Sequence, residues 1–122
     1  MSMSLSRLTA TIATFACLMV CGCGDGRTKH DVYMEGLQVE AAAEKGPCKL
    51  HYAEGAQAAP LSGDKVQECL RRTEDAIALY EEAAKLGMED PDFERVRARA
   101  HERKQRLEGM LDTVRAMERG QL

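Results

Sequence analysis

The chain has 122 residues, room for one small domain, and a formal net charge of −3. With no basic excess to neutralise phosphates, nothing in this balance asks for nucleic acid. The absence of Trp and the scarcity of other aromatics leave the core to Leu, Val, Ile, Met and Ala, which favours closely packed helices and argues against a β-sandwich.

The first 22 residues stand apart from the rest. Arg7 is their only charge, and Leu8 to Val20 is an uncharged, largely apolar run. A short basic start, an apolar run and small residues after it make a secretory signal. The run is shorter than the roughly 20 apolar residues that span a bilayer. A short buried helix or an uncleaved anchor is the plainer alternative. Val20-Cys21-Gly22-Cys23 resembles the lipobox of bacterial lipoproteins, with Val20 in the aliphatic place and Gly22 in the small place before the cysteine. The resemblance implies that residues 1–22 are removed and that Cys23 is diacylated as the new N-terminus. Cys21 is a rival acceptor, but it would put the bulky Val20 in the small-residue place. Gly24 stands where many such proteins carry an inner-membrane retention aspartate. The resemblance therefore implies the periplasmic face of the outer membrane in a Gram-negative cell. Cleavage would take away one basic and no acidic residue, moving the net charge from −3 to −4.

Residues 23–29 read as a flexible tether, and residues 30–122 as a single small helical domain. The spacing of Val32, Tyr33, Leu37 and Ala41 predicts a helix over 30–45, ended by Gly46 in a left-handed cap and by Pro47. Gly36 should weaken it by about 1 kcal/mol relative to Ala. Residues 48–63 form a connection punctuated by Gly55, Pro60 and Gly63, with Leu50, Tyr52 and Leu61 as possible lids on the helices.

A second helix is predicted over 64–86, started by Asp64 with Gln67 as a capping box. Val66, Leu70, Thr73, Ile77, Tyr80 and Ala84 step by four and three along it. Asp90 and Pro91 then open a third helix over 91–119, in which Phe93, Val96, Ala100, Arg103, Leu107, Met110, Val114 and Met117 keep the same stepping. The short link between the two predicts an antiparallel hairpin. Folding about residues 88–89 sets Ala84 near Phe93, Ile77 near Ala100 and Leu70 near Leu107. Thr73 then meets Arg103, with Glu74 close enough to pair with it. The fold class is thus all-α, a hairpin that the shorter first helix can complete as a three-helix bundle. The third helix outruns the second, so Val114 and Met117 project unless something covers them.

Of five cysteines, cleavage leaves three: Cys23 for the lipid, and Cys48 and Cys69. Export to an oxidising compartment favours a disulfide between the last two, closing a loop worth roughly 3 kcal/mol. Two buried free thiols are the alternative. Cys48 and His51, with Cys69, have the chemistry of metal ligands, but zinc sites usually show two well-spaced pairs. No metal and no cofactor is expected.

Ala76, Tyr80, Ala83 and Leu86 resemble the second helix of a tetratricopeptide repeat, over residues 76–86 only. No second copy follows. Arg95, Arg97, Arg99, Arg103, Lys104 and Arg106 cluster on the third helix, where Glu68, Glu74, Asp75, Glu81 and Glu82 of the second can neutralise them. No nucleophile with a base and no phosphate loop stands out, so an enzyme is not expected.

The functional expectation is a non-enzymatic cell-envelope lipoprotein, held to the membrane by Cys23. It makes protein–protein contacts through Leu107, Met110, Val114 and Met117, with an envelope partner or by self-association. A small-ligand or metal-binding lipoprotein and an isolated tetratricopeptide-like adaptor are the alternatives.

Overall fold

The computed structural model describes residues 26–50 and 61–121; the leader with Cys23, and His51 and Tyr52 of the connection, lie outside them. The described chain is three helices: α1 (Lys29–Lys45), α2 (Gly63–Lys85) and α3 (Pro91–Glu118). Both α1 and α3 pack on α2, which is therefore the central element. The all-α hairpin completed by a shorter first helix is the observed architecture.

Each helix start has a side-chain acceptor for an otherwise orphan backbone N–H. Thr28 caps α1: its Oγ1 accepts from the Asp31 N–H at 3.1 Å, and the Asp31 carboxylate accepts from the Thr28 N–H at 3.0 Å. The helix therefore begins one residue before the expected 30, and Lys29 leaves the tether. At α2 the expected capping box is displaced. Ser62 is the N-cap, its Oγ accepting from Lys65 N–H at 3.3 Å, and Asp64 lies inside the first turn. A carboxylate there still faces the positive helix end. Asp90 caps α3 as its sequence position suggests, accepting from Asp92 N–H at 2.7 Å with Pro91 opening the helix.

The helix ends divide in the same way. Gly87 adopts φ 96° after the Leu86 C-cap, and Met88 N–H reaches Ala83 O at 3.0 Å, closing α2 in a left-handed turn. Gly46 does not take the expected left-handed cap; its φ is −131°.

The core has two parts. Near the α2–α3 turn, Val32, Ala76, Ile77, Tyr80, Ala83, Phe93 and Ala100 bury together, drawing on all three helices. Tyr33, Tyr80 and Phe93 meet edge-on or tilted, with ring centroids 5.2 to 6.3 Å apart. Farther along, Val66, Cys69, Leu70, Leu107 and Val114 form the second part, with Leu50 and Leu61 packed against it. Ile77 with Ala100, and Leu70 with Leu107, share clusters as the paper register places them.

Three of the four residues expected on the packing face of α1 take part in the core, Val32 buried and Tyr33 and Leu37 half-buried against it. Val32, Gly36 and Ala43 are buried, whereas Ala41 is exposed. Gly36 shares this face. A Cβ there would lie 2.8 Å from Tyr80 Cδ1 and closer still to Cε1, so only glycine lets the Tyr80 ring seat against the α1 backbone. The Gly that weakens α1 locally is what allows it to pack.

Candidate interaction surface

The four contact residues expected on α3 divide between inside and outside. Leu107 and Val114 are buried in the second core cluster, Met110 is half-buried, and Met117 is 54% exposed. Val114 therefore does not project; it is buried in one cluster with Val66, Cys69 and Leu70 of α2, against which Leu61 packs. Beyond this floor a groove opens, walled by Leu61, Met110, Thr113 and Met117, with Gly109 and Glu118 at its edges. It lies along the last turns of α3, past the end of the shorter α1.

Two links hold the groove's surroundings. The Glu118 carboxylate accepts from Gly63 N–H at 2.7 Å, so the end of α3 satisfies an orphan donor at the start of α2. Cys48 and Cys69 form a disulfide, joining the residues just after α1 to the first half of α2. Both sulfurs are thereby removed from thiolate chemistry, including metal ligation. His51 lies outside the described residues, and among those described no group of three His, Cys, Asp or Glu side chains is placed to hold a metal ion.

Of the six basic residues in the cluster, Arg95, Arg97, Arg103 and Lys104 meet carboxylates, though mostly not those expected to pair with them. Among the described residues, Glu81 is the one carboxylate that serves across the hairpin: Arg97 donates to its two oxygens at 2.7 and 2.6 Å, and His101 Nε2 lies 2.9 Å from Oε1. The Arg97 hydrogen bonds, then that of His101, pull the Glu81 carboxyl down to about 2. Arg95 pairs with Asp92 and Lys104 with Glu108 on their own helix, while Glu68 pairs with Arg71 and Arg72 on α2. Arg103 turns away from the expected Glu74 and reaches Glu44 of α1 at 3.5 Å. Thr73, the polar residue of the same layer, needs no partner on α3. Its hydroxyl donates to Cys69 O at 3.0 Å.

One carboxylate departs from the helix surfaces expected of them all. Glu40 is half-buried, and burial raises its carboxyl above the ordinary range, against the opposing pull of Arg103. It acts on Tyr80, whose hydroxyl is fully buried without a well-formed hydrogen bond among the described residues. Burial first, then the Glu40 charge, pushes the Tyr80 phenol well up. The sequence carries a signal for this pair, since Glu40 lies four residues after the buried Gly36 and three before Ala43.

Of the residues resembling a tetratricopeptide helix, Ala76, Tyr80 and Ala83 are fully buried, and Leu86 is exposed. No described helix is long and apolar enough to cross a membrane. Compared with known protein families, curated proteins and solved structures, the chain shows no match.

Proposed function

We propose that this chain is a non-enzymatic cell-envelope lipoprotein, tethered through a lipid on Cys23, that works by protein–protein contact at the end of α3. The lipobox-like Val20-Cys21-Gly22-Cys23 after an uncharged apolar run carries this reading. The groove beside the exposed Met117 supports the second half, because apolar surface left in water marks contact sites more often than it serves a monomer. Residues 23–28 then form the tether between lipid and α1, and the outer membrane's periplasmic face is the favoured location. Two acyl chains make such an anchor stable, where one would bind only marginally.

The test uses the full chain in bacterial cells with a photo-crosslinking residue at Met117. The reading expects the chain in the envelope fraction, release by Cys23→Ala, and a cross-linked protein adduct that Thr113→Asp abolishes. Thr113 is chosen because it is exposed, whereas a charge at the buried Val114 would unfold the domain. A Cys23→Ala chain that stays in the envelope, or a Met117 probe that never forms an adduct, would overturn it.

A second reading, an isolated tetratricopeptide-like adaptor, has in its favour the seating of Tyr80 on Gly36 and the burial of Ala76 and Ala83. Repeat arrays need about three units for stability. One helical hairpin with a single extra helix supplies less than that.

A further inference from the structure

The start of α1 and the α2–α3 turn share one end of the bundle. Lys29 Nζ donates to Gly87 O at 3.4 Å, which sets its charge at the carbonyl-rich end of α2. Gly26 is the first described residue, three positions after Cys23. An extended chain spans at most about 3.6 Å per residue, so a lipid on Cys23 attaches within about 11 Å of Gly26. The anchor therefore emerges at the end of the bundle that carries the turn. The opposite end, where Glu118 meets Gly63, is a helix length away, roughly 40 Å for the 28 residues of α3.

The turn presents apolar side chains to that side. Leu86 is 49% exposed and Met88 is half-buried, on either side of Gly87, which has open space around it. With residues 1–22 removed, residues 23–25 are all that precedes the described chain here. The connection over 51–60 is joined at Leu50 and Leu61, both packed on the far core cluster. The charges at this end mix signs: Lys29 and Lys85 stand with Asp31, Glu89 and Asp90, while Arg27 and Asp92 are paired with Glu35 and Arg95. That balance selects no headgroup charge, so the contact it suits is apolar. A leucine and a methionine alone would hold a free protein to a bilayer only weakly. A lipid at the same end makes their contact intramolecular, at an effective concentration in the millimolar range, and a weak contact then suffices to set an orientation.

We infer that the α2–α3 turn is a second membrane contact: Leu86 and Met88 rest in the interface of the bilayer that holds the Cys23 lipid, and the far end of α3 points away from it. This contact rests on the proposed lipid anchor and deepens it, giving the tethered domain one orientation.

The test uses the full chain in bacterial cells grown on radiophosphate, with a photo-crosslinking residue at Glu89 and, separately, at Met117. Both positions are exposed. The acyl chains of the anchor hold no phosphate, so label on the purified chain reports bilayer phospholipid. Position 89 should take up about five-fold more phospholipid than position 117, and Leu86→Asp should cut the uptake at 89 by about five-fold. Leu86→Ser should act in the same direction, and both variants should stay helical by circular dichroism, since Leu86 lies outside both core clusters. Palmitate uptake by the same chains reads the anchor independently. A palmitate-labelled chain whose position 89 takes up no more phospholipid than position 117, or forms adducts with protein alone, would overturn the membrane contact and leave the anchor standing. A parent chain without palmitate would overturn the anchor and this contact together. Undiminished phospholipid uptake in both helical Leu86 variants would overturn the part given to Leu86.

Discussion

At the scale of single residues, the packing of α1 on α2 turns on Gly36 and Tyr80. Replacing Gly36 with Ala should help an isolated helix by about 1 kcal/mol. In the folded chain the new Cβ collides with a fully buried ring, and such overpacking costs roughly 1–3 kcal/mol. Gly36→Ala should therefore destabilise by about 2 kcal/mol in denaturant melts; a stabilised variant would mean the ring does not seat there. Tyr80→Phe should act in the opposite direction, because the hydroxyl it removes is buried without a well-formed partner. A gain of about 1 kcal/mol is the expected outcome. Glu40 carries a pH signature of its own. Its carboxyl titrates higher in the folded chain than the ordinary 4.5, so the fold binds this proton more tightly than the unfolded chain does. Its contribution is favourable below that pH and is lost as the pH rises. Glu40→Gln should raise the melting temperature at pH 7 and leave it unchanged near pH 3.

Between elements, two cross-links can be tested separately. The Cys48–Cys69 disulfide closes a loop with a sequence separation of 21, and by loop entropy its removal should cost roughly 3 kcal/mol. Paired Cys48→Ser and Cys69→Ser substitutions, compared with reductant on the native chain, measure this by chemical denaturation; equal stability with and without the bond would refute it. The Glu81–Arg97–His101 cluster ties α2 to α3 at the other end of the hairpin. Glu81 titrates at about 2 in the fold against an ordinary 4.5, so its stabilisation is complete above about 4.5 and fades as the pH falls toward 2. The pair is about one-third exposed, so its loss should amount to no more than about 1 kcal/mol. Glu81→Gln should lower stability by that amount at neutral pH and flatten this acid window.

For the molecule as a whole, most of the α2–α3 hairpin was legible in the sequence. The unbroken three-four stepping and the Asp90-Pro91 start specify both helices, and the short link leaves them little choice but to pair. What was not legible depended on α1. A helix whose packing face carries a glycine gives a misleading periodicity, so Ala41 read as buried while Gly36 read as a defect. Arg103 likewise chose Glu44 over Glu74 because α1 lies within its reach, which no reading of the hairpin alone could supply. The proposed contact surface was half legible. The stripe on α3 picks out Met110 and Met117, but Leu107 and Val114 belong to the chain's own core, because Leu50, Leu61 and the first turns of α2 close over that end.

All of this structure matters to the proposed role only if the domain hangs from a membrane by its N-terminus. Palmitate labelling of the full chain in bacterial cells tests that most directly, with Cys21→Ala and Cys23→Ala variants alongside. The account predicts label in the parent chain and in Cys21→Ala, and none in Cys23→Ala. Label that persists in Cys23→Ala, or an unlabelled parent chain, would contradict it.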